Sequence, residues 1–544
     1  MRALSDVAQS LGLSPEDYDL WGPERAKIRP DVLMRRRSRE GQGRLVLVSA
    51  MTPTPAGEGK TTTSIGLAQG LSQLGDSVVT CLREPSLGPI FGVKGGGTGG
   101  GKSQLHPAVD INLHFTGDLH AVSAANNLLA AMIDNHLHFR LEPRLHPGRI
   151  QWRRVVDMND RALRQIVVGL GGAKNGTTGE RHFDITAASE VMAILCLADS
   201  VDDLRTRLGR ILVGFDEGGK PVTADTLGAT GGMLALLKDA MRPNLVQTSE
   251  GVPAIVHGGP FANIAHGCSS VLGTRLGLQL ADWVITEAGF GFDLGAEKFF
   301  DIKCRSAGLD TAAVVLVATA RALKHHGGAE ADAYGVPNPD RVAAGLGNLE
   351  KHLESVRHFG ETPIVALNRR LEDTEEEIAV VRERCAELGV AFAVADPYGT
   401  GGPGCTDLAR LVKQHAKTTD DPYRPVYTLE QPVEEKIAAI AKSIYGASGV
   451  AWTGAARTAA NRARRLGYGD LPVCVAKTQS SLSDNPKLRN RPTDFEVTVR
   501  DLRINAGAGF LVALLGDVVR MPGLPKRPTA WDIDVVDGTI HGVG

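Results

Sequence analysis

A short apolar run at residues 45–49, a glycine-rich turn leading into helical spacing over residues 64–74, and a second apolar run at 78–82 predict an α/β fold. The expectation is a P-loop-type, mostly parallel sheet flanked by helices, with smaller additional α/β domains. Continuous apolar strands need cover on both faces, and the crossover helices of βαβ units supply it. Ahead of the first run, residues 1–44 carry amphipathic stretches and a basic cluster, Arg35, Arg36, Arg37 and Arg39. That cluster reads as a solvated face in preference to an anion site.

Strand patterns return at 213–215, 254–257, 283–286 and 313–318, each followed by loop residues or helical spacing, so the sheet is expected to be large. A helix around 349–357, a strand at 363–367, a helix at 374–388 and a strand at 391–395 follow. Proline and glycine then thicken between Asp396 and Cys405. This reads as a loop at the carboxyl end of a strand, where open α/β sheets take their ligands. A proline-spaced run at 421–431 marks a boundary, and a helix–strand–helix module continues to 544. The expected division is 1–345, 346–425 and 426–544, without internal repeats.

At 544 residues the chain exceeds what one hydrophobic core serves. Its 42% apolar and 22% charged residues are ordinary globular proportions and argue against disorder. A formal charge of -2 gives no general attraction for nucleic acid or an acidic membrane, so any phosphate binding must be local. The seven cysteines form no C-x-x-C pair and read as reduced core thiols, not disulfides or zinc ligands. The N-terminus lacks a secretory apolar core, and runs such as 312–320 are too short to span a bilayer. A soluble, cytoplasmic protein with no nucleic-acid or membrane partner is expected.

From Thr52 the chain reads Thr-Pro-Thr-Pro-Ala-Gly-Glu-Gly-Lys-Thr-Thr-Thr, which puts Gly59, Lys60 and Thr61 where a P-loop has G-K-[ST]. The first glycine of that motif falls on Thr54, followed by Pro55 and Ala56; Gly57 and Gly59 remain. Backbone N–H groups from Gly57 through Glu58 to Thr61 can converge at a helix N-terminus and hold phosphate oxygens, helped by the helix dipole. Lys60 can neutralise β/γ charge, and Thr61 or Thr62 can offer a hydroxyl to Mg²⁺. A glycine turn with a surface lysine would not explain the strand before and the helix after. ATP is therefore expected on Thr54, Pro55, Ala56, Gly57, Glu58, Gly59, Lys60, Thr61 and Thr62, with Thr61 as the Mg²⁺ ligand.

At the end of the second strand stand Arg83 and Glu84. Either they fix a small carboxylate beside the γ-phosphate, Arg83 offering its planar fork, or they form an ion pair without a catalytic role. Lys94 with Gly95–Gly101 is either an anion-binding lid or a plain flexible loop. His257 and His266 match no usual zinc spacing; a loop over a ligand suits them better. Glu287 is either a carboxylate positioning Mg²⁺ or water, or a structural hydrogen-bond acceptor.

Seven segments together resemble one family. They are Thr52-Pro-Thr-Pro-Ala-Gly-Glu-Gly-Lys-Thr, Arg83-Glu-Pro-Ser-Leu-Gly-Pro, Asp110-Ile-Asn-Leu-His-Phe-Thr-Gly-Asp, the stretch from Val256 to Cys268, Thr286-Glu-Ala-Gly-Phe-Gly, Ala476-Lys-Thr-Gln and Met521-Pro-Gly-Leu-Pro. They are similar to signatures of formate–tetrahydrofolate ligase and spread over nearly the whole chain. The resemblance implies a three-domain fold, commonly a homotetramer activated by a monovalent cation. It implies that formate attacks the γ-phosphate of ATP to give formyl phosphate, and that N10 of tetrahydrofolate then attacks the formyl carbon. Lys60 matches the P-loop lysine and Arg83 the arginine that holds formate; Glu84 is grouped with them as catalytic. Residues 1–345 would bind nucleotide and formate, and 346–425 the acceptor.

Three positions depart from the family pattern. An aromatic and a tryptophan clamp the pterin there, whereas this chain has Arg370 and Tyr398, with Thr400 where lysine is expected. Both replacements can stack on a ring. Either they are tolerated, or the acceptor pocket has changed and formyl phosphate, or another activated acid, goes to a different molecule. A partitioning-type NTPase would share the phosphate loop but not the seven segments.

Overall fold

The computed structural model describes residues 1–35, 43–417, 421–516 and 518–543. Twelve strands build its central sheet. In chain order they are β1 (Tyr18–Leu20), β2 (Ala26–Ile28), β3 (Arg44–Ala50), β4 (Val78–Leu82), β5 (Gly99–Gly100), β6 (Ser103–His106), β7 (Asn244–Thr248), β8 (Pro253–Val256), β9 (Trp283–Glu287), β10 (Ala313–Ala318), β11 (Pro363–Asn368) and β12 (Ala391–Ala395). Across the sheet the order is β1-β2-β7-β8-β4-β9-β3-β10-β11-β12, with β6 beside β7 and β5 beside β6.

All seven strands from β8 to β12 in this order are parallel. Their sequences show why: Leu45 to Val48 of β3 and Val314 to Ala318 of β10 are inaccessible on both faces, as helix-covered parallel strands must be. Beyond β8 the direction reverses, with β7, β2 and β1 antiparallel in turn. The expected α/β class is what the chain adopts: a large, mostly parallel sheet flanked by helices, accompanied by several small additional sheets. Residues 346–425 supply β11 and β12 to this same sheet. Four further strands, Gly449–Trp452, Glu496–Asn505, Phe510–Leu515 and Val473–Ala476, form a separate mixed sheet in that order.

Two strand expectations need correction. The run at 213–215 belongs to Leu212–Phe215, which pairs antiparallel with Pro221–Thr223 outside the central sheet. A tight turn lets it satisfy its backbone locally: Gly219 has φ +85° and its N–H donates to the Asp216 carbonyl at 3.0 Å. Conversely, β7 is a sheet strand that the apolar pattern does not reveal, because Asn244, Gln247 and Thr248 are buried in it. Their polar ends are bonded: Asn244 Nδ2 donates to Asp118 and to the Val256 carbonyl, and Gln247 Nε2 to the Arg2 carbonyl.

Within the basic cluster, Arg35 pairs with Asp17 at 2.7 Å and Asp31 at 2.9 Å, a solvated-face arrangement. Arg36, Arg37 and Arg39 lie outside the described residues. All seven cysteines are buried free thiols, and burial pushes Cys81, Cys196 and Cys474 up to about 12. Among the described residues no helix is long and apolar enough to cross a membrane.

Three helices set the site: α1 (Lys60–Gln73) after β3, α2 (Ala320–His326) after β10, and α3 (Pro339–His358), which packs on α2. The α2–α3 approach depends on a missing side chain, since a Cβ at Gly345 would stand 2.0 Å from the Leu323 carbonyl oxygen. Gly345→Ala is expected to force the helices apart at a cost of about 1–3 kcal/mol. The check is a lower denaturant midpoint, whereas an unchanged midpoint would mean that the helices yield freely.

Candidate active site

The parallel strands bring their carboxyl ends to one edge, where the loop after β3 is central. Gly57 and Gly59 adopt φ +77° and +72°, a region open to glycine, and Gly59 is the N-cap of α1 without a side-chain cap. The N–H groups of Lys60, Thr61 and Thr62 have no protein acceptor among the described residues. They form the open, partly positive end of a helix of 14 residues.

Several elements hold the loop from behind. Glu58 is buried and accepts from Thr54 N at 2.7 Å, Thr54 Oγ1 at 2.8 Å and the Thr319 hydroxyl. Arg321 donates to the Gly57 carbonyl and Asn368 Nδ2 to the Glu58 carbonyl at 3.0 Å. Thr52 is gripped by Asn348, His352 and His326. Asn490 N donates to His326 Nδ1 at 2.9 Å, so His326 Nε2 must carry the hydrogen given to the Thr52 carbonyl. Burial pulls His326 and His352 down to about 4, keeping both rings neutral. Pro55 and Ala56 are exposed at the loop's tip.

One carboxylate faces three cations in front of the loop. Glu287, at the end of β9, accepts from Thr61 Oγ1 at 2.9 Å and stands 3.8 Å from Arg83 Nη2. Among the described residues Arg83 otherwise donates only to the Pro260 carbonyl at 3.2 Å, and its buried Nε has no partner. Lys60 has no hydrogen-bond or ion-pair partner among the described residues. Burial pulls it down to about 8, with Glu287 raising it and Lys94 and Arg83 lowering it further. Lys94, exposed at its surface but facing the same crowd of charge, is lowered with Arg83 beside it. Its guanidinium half-satisfied and its lysines crowded, the cluster is short of negative charge.

Glu84 is not in this cluster. Successive residues on an extended chain point to opposite sides, so where Arg83 faces the loop Glu84 faces inward. Its carboxyl is buried, Oε2 lacks a partner, and burial with Asp118 raises it well above the usual range, against Lys27. His257 is bonded to Ser270 and the Ala240 carbonyl, and His266 is buried. Among the described residues no group of three or more His, Cys, Asp or Glu could hold a metal. The oxygen donors Thr61 and Glu287 suit a hard cation that arrives already bound to phosphate oxygens.

The acceptor candidates lie on the other side of the loop. Arg370 follows β11; its backbone N–H donates to Asp373 at 2.9 Å, its buried Nε is unpartnered among the described residues, and after burial it is what lowers Arg321 most. Tyr398 follows β12 and is 65% exposed, which leaves a face of its ring open. It packs on the glycine run, for a Cβ at Gly100 would stand 3.3 Å from its Cε2. That run is no plain loop: β5 pairs with β6, Lys102 N donates to the Tyr398 carbonyl at 3.0 Å and Ser103 Oγ to the Pro397 carbonyl at 2.8 Å. The sequence reading missed Arg321, Thr319, Asn348 and His352, whose place at the loop depends on strand order.

A family model described as formate–tetrahydrofolate ligase matches residues 1–544. The formate–tetrahydrofolate ligase of Myxococcus xanthus (strain DK1622) is 55% identical over 547 positions, covering 100% of this chain and 99% of the relative.

Lys60 gives the site a pH signature. Below about 8 the free site holds Lys60 protonated; above it the proton is lost and a bound phosphate must restore it. Affinity for ADP is expected to fall roughly tenfold between about pH 7 and about pH 9, and Lys60→Met to abolish that dependence. Glu287→Gln removes the charge that raises Lys60, so the fall begins at lower pH. Calorimetric titration across the range decides, and a flat wild-type profile rejects the role given to Lys60.

Proposed function

The chain belongs to the formate–tetrahydrofolate ligase family, and from that premise we propose that it phosphorylates formate with ATP and transfers the formyl group to N10 of tetrahydrofolate. The protein is an enzyme of the ligase class, with ATP, formate and tetrahydrofolate as its substrates. In the first step a formate oxygen attacks the γ-phosphorus and ADP leaves, giving formyl phosphate. In the second, N10 attacks the formyl carbon and phosphate leaves, giving 10-formyltetrahydrofolate. Free carboxylate is a poor electrophile; phosphorylation turns its oxygen into a leaving group.

The observation carrying this reading is the half-satisfied Arg83 fork, 3.8 Å from a carboxylate that also holds Thr61. The fork suits formate and then the mixed anhydride, next to the phosphates that Lys60 and the start of α1 receive. When Mg²⁺ is bound it neutralises β/γ charge, and Thr61 and Glu287 are the residues that would hold it. Glu84 is left to support the strand end beside Gly258, whose carbonyl its N–H reaches at 2.8 Å. Arg370 and Tyr398 bind the acceptor by stacking. The family, not any residue above, supplies the remaining parts of the proposal: a monovalent cation, a homotetramer and a cytoplasmic location.

ADP release by purified protein with Mg-ATP and formate, with and without tetrahydrofolate, tests the reading while 10-formyltetrahydrofolate is followed. Turnover needing both substrates supports it. Formate-dependent ADP release without a folate product means instead that another molecule is the acceptor. Lys60→Ala is expected to abolish product formation, and near-normal activity would remove the phosphate loop from the mechanism. Arg83→Ala should raise the formate KM and lower kcat/KM by about 10²-fold or more, while changing ADP affinity little. Tyr398→Ala should act on the tetrahydrofolate KM, and an effect confined to the ATP KM would displace it from the acceptor site.

A further inference from the structure

Away from the phosphate loop, a cavity of about 560 Å³ opens between residues 150–155, residues 180–190 and the C-terminal module. Five arginines line it: Arg153, Arg181, Arg462, Arg503 and Arg520. The carboxylates that answer them are few and already committed. Buried Asp184 serves two guanidiniums, Arg153 at 3.0 Å and Arg520 at 2.7 Å. Asp501 stands 3.5 Å from Arg503 and is half-exposed. Glu190 gives one oxygen to the N–H groups of Gly507 and Ala508, at 2.8 and 3.2 Å, and burial lifts it to about 7. The remaining lining carboxylate, Glu180, is exposed.

Positive charge is thus left over. Arg462 makes no ion pair among the described residues and lies over the Phe215 ring at 5.7 Å. Among the described residues Arg520 Nε and Arg181 Nη2 are buried without a hydrogen-bond partner, although Arg181 stands 3.6 Å from Asp134. Burial, with Arg520 and Arg153 as neighbours, depresses Arg503 to about 10. Holding like charges together out of water is costly unless an anion joins them. Guanidinium forks match phosphate and carboxylate oxygens two at a time. Trp152, Leu212 and Ile504 supply an apolar wall for a carbon skeleton.

We propose that this cavity is a second anion site, taking a small molecule that carries a phosphate or paired carboxylates. It shares no residue with the phosphate loop or with the Arg83 cluster. It does border that region, since Asp157, two residues beyond Val155 of the lining, accepts from Ser86 Oγ at 2.5 Å and from Leu87 N at 3.0 Å.

Calorimetric titration of the full chain, with its phosphate loop first saturated by Mg-ADP, separates the two sites. Inorganic phosphate and citrate are the probes, one for each source of the charge. At least one is expected to bind the wild-type protein, and Arg503→Met to weaken that binding roughly tenfold or more. Arg503→Lys, which keeps the charge and loses the fork, should weaken it less. Arg462→Gln removes a residue without an ion pair and supplies the same reading if Arg503→Met folds poorly; thermal midpoint and ADP affinity report whether the fold and the first site are intact. Failure of both probes to bind the wild type, or equal binding by the Met and Gln variants, overturns the proposal. So does a changed sedimentation coefficient in Arg503→Met at unchanged probe affinity, which would assign the cluster to contact between copies of the chain.

Discussion

Because the seven strands from β8 to β12 run the same way, their carboxyl ends all open onto one edge, and the groups that the strands bring to the site depend on that alignment. Arg83 comes from the end of β4, Glu287 from β9, the phosphate loop from β3, Thr319 and Arg321 from beyond β10, Asn368 and Arg370 from β11, and Tyr398 from β12. One antiparallel strand in the middle would send its share of the site to the opposite edge. The antiparallel strands β7, β2 and β1 lie outside this block and contribute nothing to the cluster around Lys60.

Buried lysines are common in this chain, and their partners separate structure from chemistry. Lys27 donates to Asp118 and Asn244, Lys477 pairs with Asp293 at 2.6 Å, and Lys324 pairs with Glu377 at 3.0 Å. Lys298 donates to the Ala262 and Leu294 carbonyls, and Lys303 to Thr274. Each of these cations has its counter-charge or acceptors built in, as burial requires. Lys60 has neither, and it sits at the open end of α1. Burial first, and then the neighbouring charges of Lys94 and Arg83, depress it, and an anion arriving at the helix N-terminus would stabilise its charged form.

How far the sequence disclosed this arrangement can be traced residue by residue. The α/β class, the strand–loop–helix around Lys60 and the proximity of Arg83 to the loop were legible, because periodicity and glycine placement are local signals. Strand order is not local. Nothing in residues 319–321 announces that β10 lies beside β3, so Arg321 and Thr319 were invisible until the sheet was assembled. Side-chain direction is equally hard to read at Glu84, because consecutive residues of an extended segment point to opposite sides. At β7 the apolar pattern failed because its buried amides are paired by Asp118 and by the Val256 carbonyl, partners far along the chain.

The glycine run was the hardest segment to read, since both mobile lids and close-packed walls need glycine. Its bonding decides between them. Gly99 has φ +80°, and an added Cβ there would meet the Ser103 carbonyl oxygen at 2.4 Å, so the turn into β6 tolerates no side chain. Gly101 is as tight against the Tyr398 carbonyl oxygen, at 2.3 Å. The run is therefore a wall that seats residue 398, and its position is fixed by backbone contacts that do not depend on which aromatic stands there. A tryptophan-to-tyrosine change at such a seat alters the ring and leaves the seat itself intact. Arg370 is held differently, on a turn after β11 that Asp373 closes at 2.9 Å and whose next residue, Leu371, is fully exposed. Of the departures from the family pattern, the arginine differs most in chemistry from the residue it replaces, a cation in place of an aromatic ring.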